Sequence, residues 1–138
     1  MIDTNVVVLL GDLDPGDLPA SPLISVVTLA ELSVGPLVTD DPRERAARQT
    51  RLQETEAAFD PLPFDAAAAR TFGRVAASIR RSGRTVPLRA FDALIAAIAM
   101  SNGLPLYTCN PRDFTGVDDL NLVPVPHPRS VRDDVSPG

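Results

Sequence analysis

Hydrophobic positions in this chain fall into short blocks near its ends and spaced stripes through its middle. Met1 to Leu9 is an apolar run broken only at Asp3-Thr4-Asn5. Its Val and Ile content predicts a short buried strand, with a short helix over Val6 to Leu10. Gly11 to Ser21 repeats Gly, Pro and Asp and reads as a loop. Pro22 to Ser25 fits a short strand with Pro at its first residue, where a sheet tolerates it. Val26 to Val34 predicts a helix stopped by Gly35-Pro36. Helical spacing puts Val27, Ala30, Glu31 and Val34 on one side, so that Glu31 is the only charge of an apolar segment.

Asp41-Pro42 is a helix start, a capping carboxylate followed by Pro in the first turn, and the helix runs to about Ala58. Pro61 to Phe64 is an extended link. Asp65 caps a second helix, Ala66 to Arg81, which stops at Ser82-Gly83. These two helices read as a hairpin or clip beside the sheet, and Arg84 to Leu88 as a loop. Arg89 to Met100, closed by Asn102-Gly103, is apolar all round past Asp92, the pattern of a buried helix. Asp92 lies in its first turn, where the helix dipole favours negative charge. Pro105 to Thr108 is a strand that runs into Cys109 to Phe114, and Leu122 to Val125 is a last edge strand. Strands alternating with helices imply an α/β domain with a mostly parallel sheet over residues 1–125. Pro126 to Gly138 has three Pro, four charges and little to bury, and reads as a flexible C-terminal tail.

Composition narrows this picture. The 138 residues, 44% hydrophobic, suffice for one domain with a real core. No apolar run reaches the length of a membrane span, no basic-then-apolar signal segment opens the chain, and the single Cys109 cannot form an internal disulfide. A cytoplasmic protein is the expectation. The net charge of −5 argues weakly against nucleic acid as partner, but it hides an asymmetry. Residues 1–42 carry −7, residues 43–89 carry +5 and residues 90–138 carry −3, and every basic residue is Arg. Acidic ends and a basic middle suit a metal site beside a phosphate-attracting wall; solvated Glu- and Arg-rich helix faces account for them equally well.

An ionised Asp inside an apolar run is costly unless a cation or several donors compensate it. Asp3 therefore either ends a strand facing a cleft or caps the following helix. Similarly misplaced carboxylates recur at Glu31, Asp92 and Asp113. Parallel sheets bind ligands at the carboxyl ends of their strands, where Asp3 and Asn110 both fall. Mg²⁺ takes one or two protein carboxylates and keeps several waters. Phosphodiester hydrolysis needs an activated water and neutralised phosphate oxygens, and one or two such cations supply both. Without metal the acids would repel one another, and at least one should have a raised pKa. Asn5, Thr108 and Asn110 are supporting polar groups; Thr108 and Asn110 can donate hydrogen bonds to carboxylates or orient a metal-bound water. His127 reads as a bystander and Cys109 as a small buried hydrophobe, since the domain offers no other His to activate it.

Four stretches, Asp3-Thr4-Asn5-Val6, Val27-Thr28-Leu29-Ala30-Glu31-Leu32, Phe91-Asp92-Ala93-Leu94-Ile95-Ala96-Ala97 and Leu106-Tyr107-Thr108-Cys109-Asn110-Pro111-Arg112-Asp113-Phe114, resemble in order and spacing the motifs of PIN-domain ribonucleases, in particular the VapC toxins of bacterial toxin–antitoxin pairs. The resemblance implies a three-layer α/β/α sandwich and an endoribonuclease dependent on Mg²⁺ or Mn²⁺. It further implies a homodimer and inhibition by a VapB-type antitoxin. Carried over by position, Asp3 and Asp92 are the central metal ligands, and Glu31 completes the site directly or through water. Asn110 or Asp113 fills the fourth position, and Thr108 matches the family's hydroxyl residue. The chain departs from the pattern in having only Met1 and Ile2 before the first Asp, Cys109 where Arg is common, and a longer tail. A phospho-receiver would need a Lys, and a haloacid-dehalogenase phosphatase an Asp at the position of Asn5. The alternative retained is a catalytically silent PIN-like module that binds RNA or a partner.

Overall fold

Five short extended segments lie side by side at the centre of the computed structural model, which describes residues 1–84 and 90–128. Two are regular strands, β1 (Leu106–Thr108) and β2 (Leu122–Pro124), paired in parallel with Leu106 opposite Leu122. The others contribute only one or two pairings each. Ile2 pairs in parallel with Tyr107, and Ser25 in parallel with Leu62. The Ile2 N–H donates to the Leu23 carbonyl at 2.8 Å, which joins the two halves. Across the sheet the segments run third, second, first, fourth, fifth in chain order. That is the doubly wound arrangement, whose strand order reverses beside the first segment.

Among the described residues, five α-helices connect these segments: α1 (Thr4–Val8), α2 (Val26–Val34), α3 (Pro42–Ala58), α4 (Ala66–Arg81) and α5 (Ala90–Ser101). Side-chain oxygens cap the first four. Asp3 accepts from Thr4 N, Ser25 from Thr28 N, Asp41 from Arg43 N and Asp65 from Ala68 N. Alternation along the first segment sends Met1 and Ile2 to opposite sides of the sheet. Met1 joins Ala68, Ile95, Ile98, Leu106 and Phe114 in a core under α4 and α5. Ile2 joins Val6, Ile24, Leu32 and Val125 in a second core, against which Leu52 and Phe59 pack. The result is the expected three-layer α/β/α sandwich. The Ala-rich face of α5 lets α4 come close, with Val75 against Ala93 and Ala97.

Three expectations need correction. The first helix starts at Thr4 rather than Val6, because Asp3 ends the extended segment and caps the helix at once. In α2 the buried residues are Val27, Thr28 and Leu32, while Ala30 is exposed and Val34 is 48% exposed, so Glu31 does not sit on an apolar stripe. The helices α3 and α4 do not form a hairpin. Leu52 of α3 packs on one core and Ala68 of α4 belongs to the other, because the chain changes face at the edge segment around Leu62. Most of the loop expected over Arg84 to Leu88, the helix start at Arg89, and the tail beyond Pro128 lie outside the described residues. Among the described residues no helix is long and apolar enough to cross a membrane.

Candidate active site

Asp3 meets both alternatives left open by its sequence context. Its N–H donates to the Tyr107 carbonyl at 2.9 Å, as the last residue of the extended segment, and its carbonyl accepts from Val6 N at 3.0 Å, as a helix cap. The carboxylate is held by three donors: Thr4 N on Oδ1 at 2.8 Å, and the Thr108 hydroxyl at 2.9 Å and Asn5 Nδ2 at 3.2 Å, both on Oδ2. Only 3% of the residue is exposed. Burial pushes its carboxyl above the ordinary Asp value, and the charges of Glu31 and Asp113 push the same way; the bonds from Thr108 and Thr4 pull back only in part. A raised carboxyl is present at Asp3, with burial as its first cause and the repulsion expected from neighbouring acids a smaller one.

Thr108 and Asn5 fasten that carboxylate to the end of β1. The Thr108 hydroxyl accepts from Asn110 N at 3.1 Å while donating to Asp3, and the Asn5 side-chain oxygen accepts from Cys109 N at 3.1 Å. Asn5 Nδ2 also donates to Thr108 Oγ1 at 3.2 Å. Cys109 is buried, and burial together with the Asp3 charge pushes its thiol up, as befits a small packing residue.

Glu31 approaches from α2 and accepts from the Thr4 hydroxyl at 2.8 Å. Thr4 thus holds two acids, Asp3 through its N–H and Glu31 through its O–H. Asp113 lies in a single 3₁₀ turn, Pro111–Phe114, anchored by the buried Phe114. Arg84 Nη1 donates to the carbonyls of Asp113 at 3.1 Å and Thr115 at 2.9 Å, satisfying acceptors at the end of that turn. The chain then passes Gly116, whose φ of +93° and the Ser82 Oγ at 2.7 Å from a Cβ position leave no room for a side chain.

Asp92 comes from the first turn of α5. It lines, with Asp3, Glu31, Asp113 and Asn110, one cleft of about 330 Å³, which Val8 and Leu9 also line. All four sequence-singled acids and Asn110 thus share a cleft; His127 is not among its lining residues. Among the described residues no three His, Cys, Asp or Glu side chains are grouped to hold one metal ion between them. The oxygen-only donor set, with a carboxyl destabilised first by burial and then by its neighbours' charges, fits a hard cation that takes one or two carboxylates and keeps its water. The Arg side chains of α3 serve the fold in part: Arg45 donates to the carbonyls of Pro36 and Thr39, and Arg48 to that of Gly35. Sequence reasoning missed Thr4, Thr28 and Arg84 as holders of this site. Thr4 carried the clearest signal, a hydroxyl between two of the polar residues that interrupt the first apolar run.

Comparison with known proteins gives the same assignment. The PIN domain model matches residues 1–120. Ribonuclease VapC5 of Mycobacterium tuberculosis is 39% identical over 113 residues, which cover 82% of this chain and 81% of that protein. The tRNA(fMet)-specific endonuclease VapC of Shigella flexneri is 38% identical over 97 residues, 70% of each. Among solved structures, VapBC-5 of the M. tuberculosis VapBC toxin–antitoxin family superposes with a TM-score of 0.78 at 34% identity, covering 91% of this chain and 96% of that one. With its doubly wound sheet and its acids gathered where the strand order reverses, the chain belongs to the PIN-domain family, among the VapC ribonucleases.

Proposed function

We propose that this protein is an endoribonuclease, the toxin of a toxin–antitoxin pair, which hydrolyses phosphodiester bonds of RNA with Mg²⁺ or Mn²⁺ in the cleft around Asp3. The observation that carries the reading is the convergence of Asp3, Glu31, Asp92 and Asp113, from four separate stretches of chain, on one cleft at the carboxyl end of the sheet. The relatives' names as ribonucleases and a toxin–antitoxin neighbour support it.

Asp3 and Asp92 would hold the cation, and Glu31 and Asp113 would act on it through its water. Bound there, it would supply neutralisation of phosphate charge and acidify water at neutral pH. The chain's own residues do the rest. Thr108 and Asn5 keep the Asp3 carboxylate oriented, Thr4 sets Glu31 beside it, and Val8 and Leu9 form an apolar wall. Burial and, to a smaller extent, the charges of Glu31 and Asp113 raise the cost of ionising Asp3, and a bound cation would relieve it. A VapB-type antitoxin is the proposed inhibitor and a homodimer the proposed assembly. The proposed nuclease domain spans residues 1–125, and the cytoplasm, where RNA is met, is the proposed place of action.

The test is cleavage of structured RNA by purified protein with Mg²⁺ or Mn²⁺, with and without chelator. Cleavage that chelator stops and Asp3→Asn abolishes is expected. An Asp3→Asn variant that cuts as fast as its parent overturns the mechanism. Mg²⁺ binding with no turnover on a broad RNA panel would instead assign the silent binding module.

A further inference from the structure

We infer that Thr28, a residue with no access to the cleft, is a positioning residue that orients Glu31 through Thr4. The inference rests on the nuclease reading above and adds to it a hydroxyl relay. Thr28 is fully buried in α2, and its hydroxyl lies 2.9 Å from that of Thr4. Either hydroxyl could donate in that pair taken alone. The direction follows from counting protons. A hydroxyl has one proton, an ionised carboxylate only accepts, and the Thr4 hydroxyl gives its proton to Glu31 at 2.8 Å. Thr28 must therefore donate to Thr4, which fixes the order Thr28 to Thr4 to Glu31.

The relay has a mechanical consequence. Thr4 sits at the first position of α1, with its N–H committed to Asp3 and its hydroxyl rotor set by two partners rather than one. The separation of Asp3 from Glu31, two acids on different segments, is then defined by one residue in a single rotamer. Thr28 stands three residues before Glu31 on the same helix, one turn away on the same side. Hence α2 contributes both the acid and the donor that holds the acid's partner. Loss of the Thr28 donor frees Thr4 to turn, and Glu31 loses a charge-assisted bond that the cleft's water cannot replace with the same geometry.

Thr28→Val keeps the side-chain shape and removes the donor; Thr28→Ser keeps the donor. Three quantities are read: Mn²⁺ affinity by electron paramagnetic resonance without RNA, kcat and KM for RNA cleavage, and thermal unfolding. Thr28→Val is expected to weaken Mn²⁺ binding and lower kcat by about tenfold each, the usual scale for a residue behind a metal ligand, with KM within about threefold. Thr28→Ser should return both to within about threefold of the parent. Thr4→Val, which keeps the N–H on Asp3, should match Thr28→Val, and the double variant should lose less than about twofold more than Thr4→Val alone. Should Thr28→Val fail to fold, Thr28→Ala, which also removes the donor, takes its place in every measurement. Unchanged Mn²⁺ affinity in Thr28→Val, a Ser variant that rescues nothing, or additive losses in the double variant would overturn the relay. If Asp3→Asn cleaves like its parent the nuclease reading falls, while the Mn²⁺ titration and the Thr4–Thr28 cycle still decide the relay.

Discussion

Replacing Asp3 with Asn should make the metal-free protein more stable while destroying its activity. In the absence of cation, the folded state carries an ionised carboxylate that is 3% exposed and repelled by Glu31 and Asp113. Asn removes the charge at nearly constant shape. Its side-chain oxygen can still accept from the Thr108 hydroxyl and Asn5 Nδ2, because Thr108 Oγ1 already accepts from Asn110 N and Asn5 Nδ2 and could take no third donor. The bond from Thr4 N is lost, because two N–H groups then face each other. A lost bond to a charged group costs about 1.5–3 kcal/mol, and relief of a desolvated charge returns several, which leaves a net gain of about 1–2 kcal/mol. For a chain of this length that is a rise in Tm of about 3–6 °C. The sign of the pH dependence follows from the raised carboxyl. Its penalty is absent below the ordinary Asp value of 3.8 and grows as pH rises through the folded-state value. The Tm gap between variant and parent should therefore be wide at pH 7 with chelator and close as pH falls towards 4. Saturating Mg²⁺ should raise the Tm of the parent alone. Calorimetry across pH, with chelator and with Mg²⁺, reads all of this. An Asn variant less stable than the parent at pH 7 without metal, or a gap indifferent to pH, would refute the account of Asp3 as a destabilised buried charge.

Arg84→Met should slow cleavage about tenfold, the scale for a group behind the site's acids, and cost about 1–3 kcal/mol in urea unfolding as the Asp113 and Thr115 carbonyls lose their donor; full activity would mean the turn holds itself. Gly116→Ala should destabilise by about 1–3 kcal/mol, from the left-handed φ and the collision with Ser82, with Ser82→Gly recovering part of the loss in the double variant. Cys109 should react with iodoacetamide at pH 7.5 at least about tenfold more slowly in folded than in urea-unfolded protein, because burial and Asp3 hold its thiolate fraction down; equal rates would place the thiol in solvent.

The long elements were legible because each carries its own punctuation. Asp41-Pro42 and Asp65 mark the starts of α3 and α4, and Ser82-Gly83 the end of α4, at the residues where the structure has them. The acids of the cleft were legible as charges out of place in apolar surroundings. The sheet was harder. Three of its five segments pair through only one or two residues, too few for any periodicity, and their order appears only in the hydrogen bonds. The faces of α3 and α4 were misread because a Pro-rich link looks like a connector, whereas Leu62 pairs with Ser25 as the edge of the sheet. Thr28 and Arg84 gave no signal for a different reason. A Thr in an apolar helix and an Arg after Gly are ordinary in isolation, and their roles depend on partners 24 and 29 residues away.

Met1, Ile2 and Asp3 commit three successive side chains to three destinations: one hydrophobic layer, the other, and the cleft. Nothing separates the anchors from the acid, so no slack exists to absorb an error of spacing. Deleting or inserting one residue between Ile2 and Val6 would offer the cleft a hydrocarbon or the interior a second charge. From Ile2 to Val6, therefore, a hydrophobic side chain could be exchanged for another of like volume, but the number of residues could not change.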